Sequence, residues 1–241
     1  MSKKFRMFSG PNGSGKSTLI QEVKKNYNVG FFINADEIEV KVNKFKFLDI
    51  SEFTNKSINQ NNWNSFLASL NTNDIRIKEE FPEIIISDKF LICKKGINSY
   101  QAAIMAEFFR NILLENEKTF SFETVMSHPS KVDFLKKAKQ AGFSTYLYFI
   151  CTQDPKINIQ RIINRVVKGG HDVDQQKTVQ RYYRSLELLY DAFMISDRAF
   201  VIDSSNRNRD VIVEKNKNII TIHNQNIPEW IAKYLLNKLD Y

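Results

Sequence analysis

Residues 9–18 read SGPNGSGKST, and no other stretch limits the fold of this chain so tightly. Gly10 to Ser17 satisfy the spacing G-x-x-x-x-G-K-[ST], and Thr18 follows. The glycines let backbone N–H groups turn inward around a phosphate, and the helix that follows aims the positive end of its dipole at the same point. Lys16 then reaches the β- and γ-phosphates, and Ser17 offers a hydroxyl to Mg²⁺. Such a loop has to lie between a buried strand and a helix. Both flanks comply: Phe5, Met7 and Phe8 precede it, and Leu19, Ile20 and Val23 follow at helical spacing. The expected nucleotide-binding residues are Gly10, Asn12, Gly13, Ser14, Gly15, Lys16, Ser17 and Thr18, with Ser17 the metal ligand.

Strands and helices alternate along most of the chain. VGFFINAD is an apolar strand ending on a carboxylate, SYQAAIMAEFFRNILLE has helical spacing, and KTFSFETV is a strand ending on Glu123. HPSKVDFLKKAKQAGF carries Pro129 in a first turn and Gly142 just past its end, the punctuation of a helix. STYLYFIC is a strand, and DPKINIQRIINRVV opens a helix with Asp154 as N-cap and Pro155 at the first position. A second helix is expected over roughly 174–193, then the strand AFVIDSS, a hairpin in DVIVEKNKNIITIHN and a closing helix in PEWIAKYLLNKL. The pattern predicts an α/β fold, a P-loop NTPase with a parallel sheet and helices on both faces. Residues 41–95 break it. They are rich in asparagine, with helix expected only around Trp63 to Leu70, and read as an insertion on the acceptor side of a single domain spanning 1–241.

Composition narrows the partners. Lys and Arg outnumber Asp and Glu by 35 to 27, a formal charge of +8, which favours anionic ligands. No run of five or six basic residues marks a nucleic-acid arm, so nucleic acid is disfavoured as substrate. No apolar run approaches the ~20 residues that cross a bilayer. Two cysteines, Cys93 and Cys151, make neither a disulfide framework nor a metal cluster and fit a reducing cytoplasm.

A GTPase would need an N-K-x-D base reader and an ABC ATPase an LSGGQ-like signature; the chain has neither. A kinase-like layout remains, which requires a base for the acceptor hydroxyl, a metal ligand and arginines over the transferring phosphate. Asp36, at the carboxyl end of the second strand, is the first candidate base, with helix capping as its alternative role. Glu123 ends the strand FSFE on the same edge and is a candidate to hold the acceptor or a metal-bound water, with the adjacent Thr124 a candidate on the acceptor side. Asp88 after EIIIS is a rival carboxylate inside the insertion. On the helix after Pro155, Ile159, Ile162, Ile163, Val166 and Val167 share a face and place Arg161 and Arg165 opposite. On the next, Val179, Tyr182, Leu186, Leu189 and Phe193 leave Arg181 and Arg184 across from the core. The two helices, 155–193, are expected to act as a lid, with Arg165 the catalytic arginine.

GPNGSGKST, NADEI, FSFETV and RVVKGGHDVDQQKTVQRYYRSLELL together resemble the zeta toxin family of P-loop kinases, in the branch with an R-V-x-x-G-G-H-x-V lid. The resemblance covers about residues 1–40 and 98–240. It implies a nucleoside-kinase-like fold using ATP and Mg²⁺, and a hydroxyl acceptor such as the sugar of UDP-N-acetylglucosamine. An acidic antitoxin that blocks the ATP site is the implied protein partner. It matches Lys16 and Ser17 to ATP and Mg²⁺ positions, Asp36 to the catalytic base, Glu123 to the acceptor-binding glutamate and Arg165 to a lid arginine. Two positions depart from it: Val125 stands where the family often has threonine, and Gly169-Gly170-His171 where a second lid arginine falls. His171, Arg181 or Arg184 would substitute. The alternatives are an ATP-binding switch or interaction protein with weak or no kinase activity, or a polynucleotide kinase.

Overall fold

The computed structural model describes residues 3–70, 81–116, 118–169, 173–206 and 208–239. In chain order the elements are β1 (Lys4–Ser9), α1 (Lys16–Asn26), β2 (Phe31–Ile33), α2 (Ala35–Phe45), β3 (Phe47–Asp49), α3 (Gln60–Ser69), β4 (Ile85–Ser87) and β5 (Phe90–Ile92). They continue as α4 (Ser99–Glu115), β6 (Phe120–Thr124), α5 (Ser130–Gln140), β7 (Ser144–Cys151), α6 (Pro155–Val167), α7 (Gln175–Glu187) and α8 (Leu189–Ile195). β8 (Arg198–Asp203), β9 (Asp210–Asn216), β10 (Ile219–Ile222) and α9 (Glu229–Tyr234) complete the chain. Two compact units emerge: Met1–Val29 with Ser121–Tyr241, and Gly30–Phe120.

In the first unit the strands run in the order β10-β9-β8-β7-β1-β6. β1, β7 and β8 are parallel neighbours, and β9 and β10 extend the sheet antiparallel as the expected hairpin. Lys217, at φ 55°, makes the turn of that hairpin. Parallel strands buried on both faces read as continuous apolar runs, and β7 shows why: five consecutive residues from Leu147 to Cys151 are buried. Phe5 stacks on Phe122 at 5.5 Å and meets the edge of Phe134 at 5.6 Å, which fixes α5 against β1 and β6. Asp154 caps α6 by accepting from the Lys156 N–H, and Pro155 opens the helix, both as expected. The helix expected over 174–193 is two, α7 and α8, divided at Leu188.

The second unit is wider than the expected insertion. β2, α4 and the start of α2 lie outside residues 41–95 and belong with them: α2, with Ile38 and Val42 buried, packs against α4. Within it Trp63 meets Phe108 edge-on at 5.1 Å, and Phe53 stacks on Phe109 at 4.5 Å. The segment expected to be irregular holds a three-stranded antiparallel sheet in the order β3-β5-β4. The Gln60 side chain pairs with both Ile84 O and the Ile86 N–H, so a side-chain amide serves as hydrogen-bond partner to β4. Among the described residues no helix is long and apolar enough to cross a membrane.

Candidate functional site

The loop between β1 and α1 has the backbone its glycines permit. Gly10, Gly13 and Gly15 lie at φ 141°, 77° and 94°, where side chains are strained. At Gly10 a Cβ would stand 2.0 Å from Ile150 O, and at Gly13 it would stand 2.5 Å from Asn158 O. Gly15 is the N-cap of α1 and supplies no side-chain cap, and the first turn holds no acidic residue. The first N–H groups of α1 therefore meet an anion without competition from a capping carboxylate or hydroxyl. Ser17 and Thr18 are exposed there, while Lys16 is only 7% exposed.

Lys16 Nζ donates to Gly10 O and Pro11 O, each at 2.9 Å, and lies 3.9 Å from Glu123 Oε1. The structure thus brings together two expected site residues that are 107 positions apart in sequence. Glu123 is mostly buried at the end of β6. Thr124 follows it, and its Oγ1 accepts the N–H of Met126, a residue at φ 55°. Asn12 Oδ1 and Ser14 Oγ are buried in the loop without a hydrogen-bond partner. The described residues hold no group of three or more His, Cys, Asp or Glu that could chelate a metal. The donors fit Mg²⁺ held as phosphate-site enzymes hold it, by a hydroxyl or carboxylate together with nucleotide oxygens, rather than a cation caged by protein alone.

Asp36 lies in the first turn of α2 in the second unit and is exposed. Asn34 is the cap: its side chain accepts the Asp36 N–H at 2.9 Å. The capping role weighed for Asp36 is thus filled by Asn34. Asp88 sits exposed in the turn between β4 and β5 at φ 51°, in an antiparallel hairpin and not at the end of a parallel strand.

On α6 the expected apolar face is not the buried one. Its buried positions are Asn158 and Ile162, whereas Ile163, Val166 and Val167 are 40%, 36% and 83% exposed. Arg161 falls on the same arc as Asn158 and Ile162 and is half-buried rather than opposite them, while Arg165, one turn on, is exposed. The reason is a polar contact: Asn158 docks α6 on the loop by donating to Asn12 O at 2.6 Å. Arg161 is fastened to Ser204 O at 2.6 Å. Arg161, Asn164, Arg165, Lys168 and Gly169 line an open groove of about 430 Å³, rich in positive charge. On α7, Tyr182 and Leu186 are buried as expected; Arg184 is exposed and Arg181 half-buried. His171 lies outside the described residues.

Two residues that touch the loop, Asn158 and Ser204, carry no motif that marks them in the sequence. Asn158 interrupts an otherwise apolar stretch, INI, which is the one trace of it in the sequence. Ser204 donates to Ser14 O at 2.7 Å, and the Tyr182 hydroxyl donates to Thr152 O at 2.6 Å. Burial pushes the Tyr182 hydroxyl and the Cys151 thiol well above their ordinary pKa values, so both stay protonated and neutral.

No family model matches the sequence, and no curated protein matches it. Solved structures do. AvrRxo1-ORF1 in complex with AvrRxo1-ORF2 matches 99% of this chain with a TM-score of 0.60 at 12% identity. The structure of the same complex with ATP matches with a TM-score of 0.57 at 11% identity. This chain spans only 66% and 65% of the length of those two chains. A structure from the PezAT chromosomal toxin–antitoxin system of Streptococcus pneumoniae matches 99% of this chain and 80% of its own, with a TM-score of 0.52 at 11% identity. The chain shares the α/β fold of these structures. At these identities the likeness establishes architecture; the chemistry rests on the side chains described above.

Proposed function

We propose that this chain is an ATP-dependent, cytoplasmic phosphotransferase that moves the γ-phosphate of ATP to a hydroxyl of a small molecule, with a nucleotide sugar such as UDP-N-acetylglucosamine the favoured acceptor. One observation carries the reading: a buried lysine ammonium sits against a glycine cradle with a carboxylate 3.9 Å away. The fold likeness to a complex solved with ATP supports it. The family resemblance at NADEI and FSFETV supplies the acceptor side.

In this reading the loop N–H groups bind the β-phosphate, and Lys16 leaves the Gly10 and Pro11 carbonyls for the β- and γ-oxygens. Mg²⁺ on Ser17 and the phosphates would neutralise charge that develops during transfer. Arg165, with Arg161, Arg181 or Arg184, places positive charge over the transferring group. Glu123 and Thr124 hold the acceptor, and Asp36 orients its hydroxyl and accepts the proton. An acidic antitoxin-like partner fits the +8 charge and the toxin–antitoxin setting of the PezAT match.

Asp36→Asn tests the assignment of the base. It should keep ATP affinity within a few fold and lower transfer by roughly 10² or more, while Asp88→Asn stays near wild type. Transfer abolished by the Asp88 change and spared by the Asp36 change would place the chemistry elsewhere in the chain.

A further inference from the structure

We infer that Asn158 is a positioning residue that sets the orientation of the phosphate-binding peptides, an inference that rests on the loop binding nucleotide phosphate. A trans peptide points the C=O of one residue and the N–H of the next in opposite directions. Whatever holds a loop carbonyl outward therefore aims the following N–H inward. Two side chains do this from outside the loop. Asn158 Nδ2 donates to Asn12 O at 2.6 Å, which turns the Gly13 N–H the other way. Ser204 Oγ donates to Ser14 O at 2.7 Å, which does the same for the Gly15 N–H.

Asn158 suits this task better than any charged residue. It is fully buried, and its amide bridges two partners: Nδ2 donates to Asn12 O while Oδ1 accepts from the Thr152 hydroxyl. The Asn12 carbonyl can only accept, so it fixes which way the amide faces, and the Thr152 hydroxyl donates to the oxygen at the other end. A carboxylate of the same shape keeps the Thr152 bond but turns an acceptor against the Asn12 carbonyl. Gly13 packs so closely that a Cβ would reach 2.5 Å from Asn158 O, so loop and helix backbone are in direct contact. One turn on, Arg161 donates to Ser204 O at 2.6 Å, which ties the second strut to the same helix. The struts link α6, which carries Arg161 and Arg165, to the peptides that would grip the phosphates.

The test is Asn158→Asp in the full chain, with calorimetry of a non-hydrolysable ATP analogue and ligand-detected NMR of adenosine, which carries no phosphate. The variant should bind the analogue at least tenfold more weakly and adenosine within twofold of wild type. Equal affinity for the analogue would overturn the inference. So would a parallel loss of both ligands, which marks a general structural role. If Asn158→Asp does not fold, Thr152→Val removes the other end of the bridge. It should weaken the analogue at least threefold with adenosine unchanged, and no weakening overturns the inference. A wild-type chain that binds no ATP analogue contradicts the kinase reading itself, a result distinct from either of these.

Discussion

Asp197 shows how a single side chain ties β7 to the segment before β8. Its carboxylate accepts the N–H of Thr145 at 2.8 Å and the Thr145 hydroxyl at 2.9 Å, and Lys139 lies 3.1 Å away. Partial burial pushes its pKa up, but the Thr145 and Lys139 bonds outweigh this and hold it below its ordinary 3.8. A carboxylate with a depressed folded pKa contributes stability that is present above the unfolded value and lost as pH falls through the folded one. Asp197→Asn should therefore cost about 1 kcal/mol at pH 7, a modest figure because the side chain is one-third exposed. Melting curves of the two proteins should differ by a constant amount from pH 7 to 5 and converge below about pH 4. A gap that widens in acid would contradict the assignment. Lys16 and Glu123 belong to the same scale. The glycine spacing and the carboxylate at the end of FSFE made each legible alone, but their 3.9 Å approach depends on the strand order that lays β6 beside β1.

Among the elements, α6 departs furthest from its sequence pattern. Its apolar stripe invited burial of Ile163, Val166 and Val167, yet a buried amide at Asn158 decides how the helix sits. A hydrophobic stripe reports that some face is apolar; which face meets the body depends on tertiary partners such as Asn12 and Ser204. The docking divides the helix. We expect amide exchange to show residues 158–162 protected without nucleotide, and added protection on binding a non-hydrolysable ATP analogue concentrated at 163–168 and in α7. Uniform exposure of α6 before nucleotide addition would contradict the anchoring. The sheet β3-β5-β4 was missed for another reason. Three strands of three residues are too short for alternation to register, and the asparagines around them read as loop. Punctuated helices were legible because caps are local: Asp154-Pro155 and Gly142 needed no knowledge of the rest of the chain.

At the scale of the whole molecule, the α/β alternation was readable because parallel strands buried on both faces are continuous apolar runs, as in STYLYFIC. The extent of the second unit was not, because α2 and α4 join residues 41–95 through packing between segments far apart in sequence. In the proposed reaction the loop at residues 10–18 holds the phosphate that passes to a hydroxyl. The most direct measurement incubates the protein with γ-labelled ATP, Mg²⁺ and a small-molecule extract that includes nucleotide sugars, then identifies labelled products by mass. A labelled phosphomonoester should accumulate only with acceptor present and disappear with Lys16→Ala, which removes a charge-assisted phosphate contact worth roughly 1.5–3 kcal/mol. Tight ATP retention with no labelled product in any fraction, or a product that persists with Lys16→Ala, would contradict that reaction.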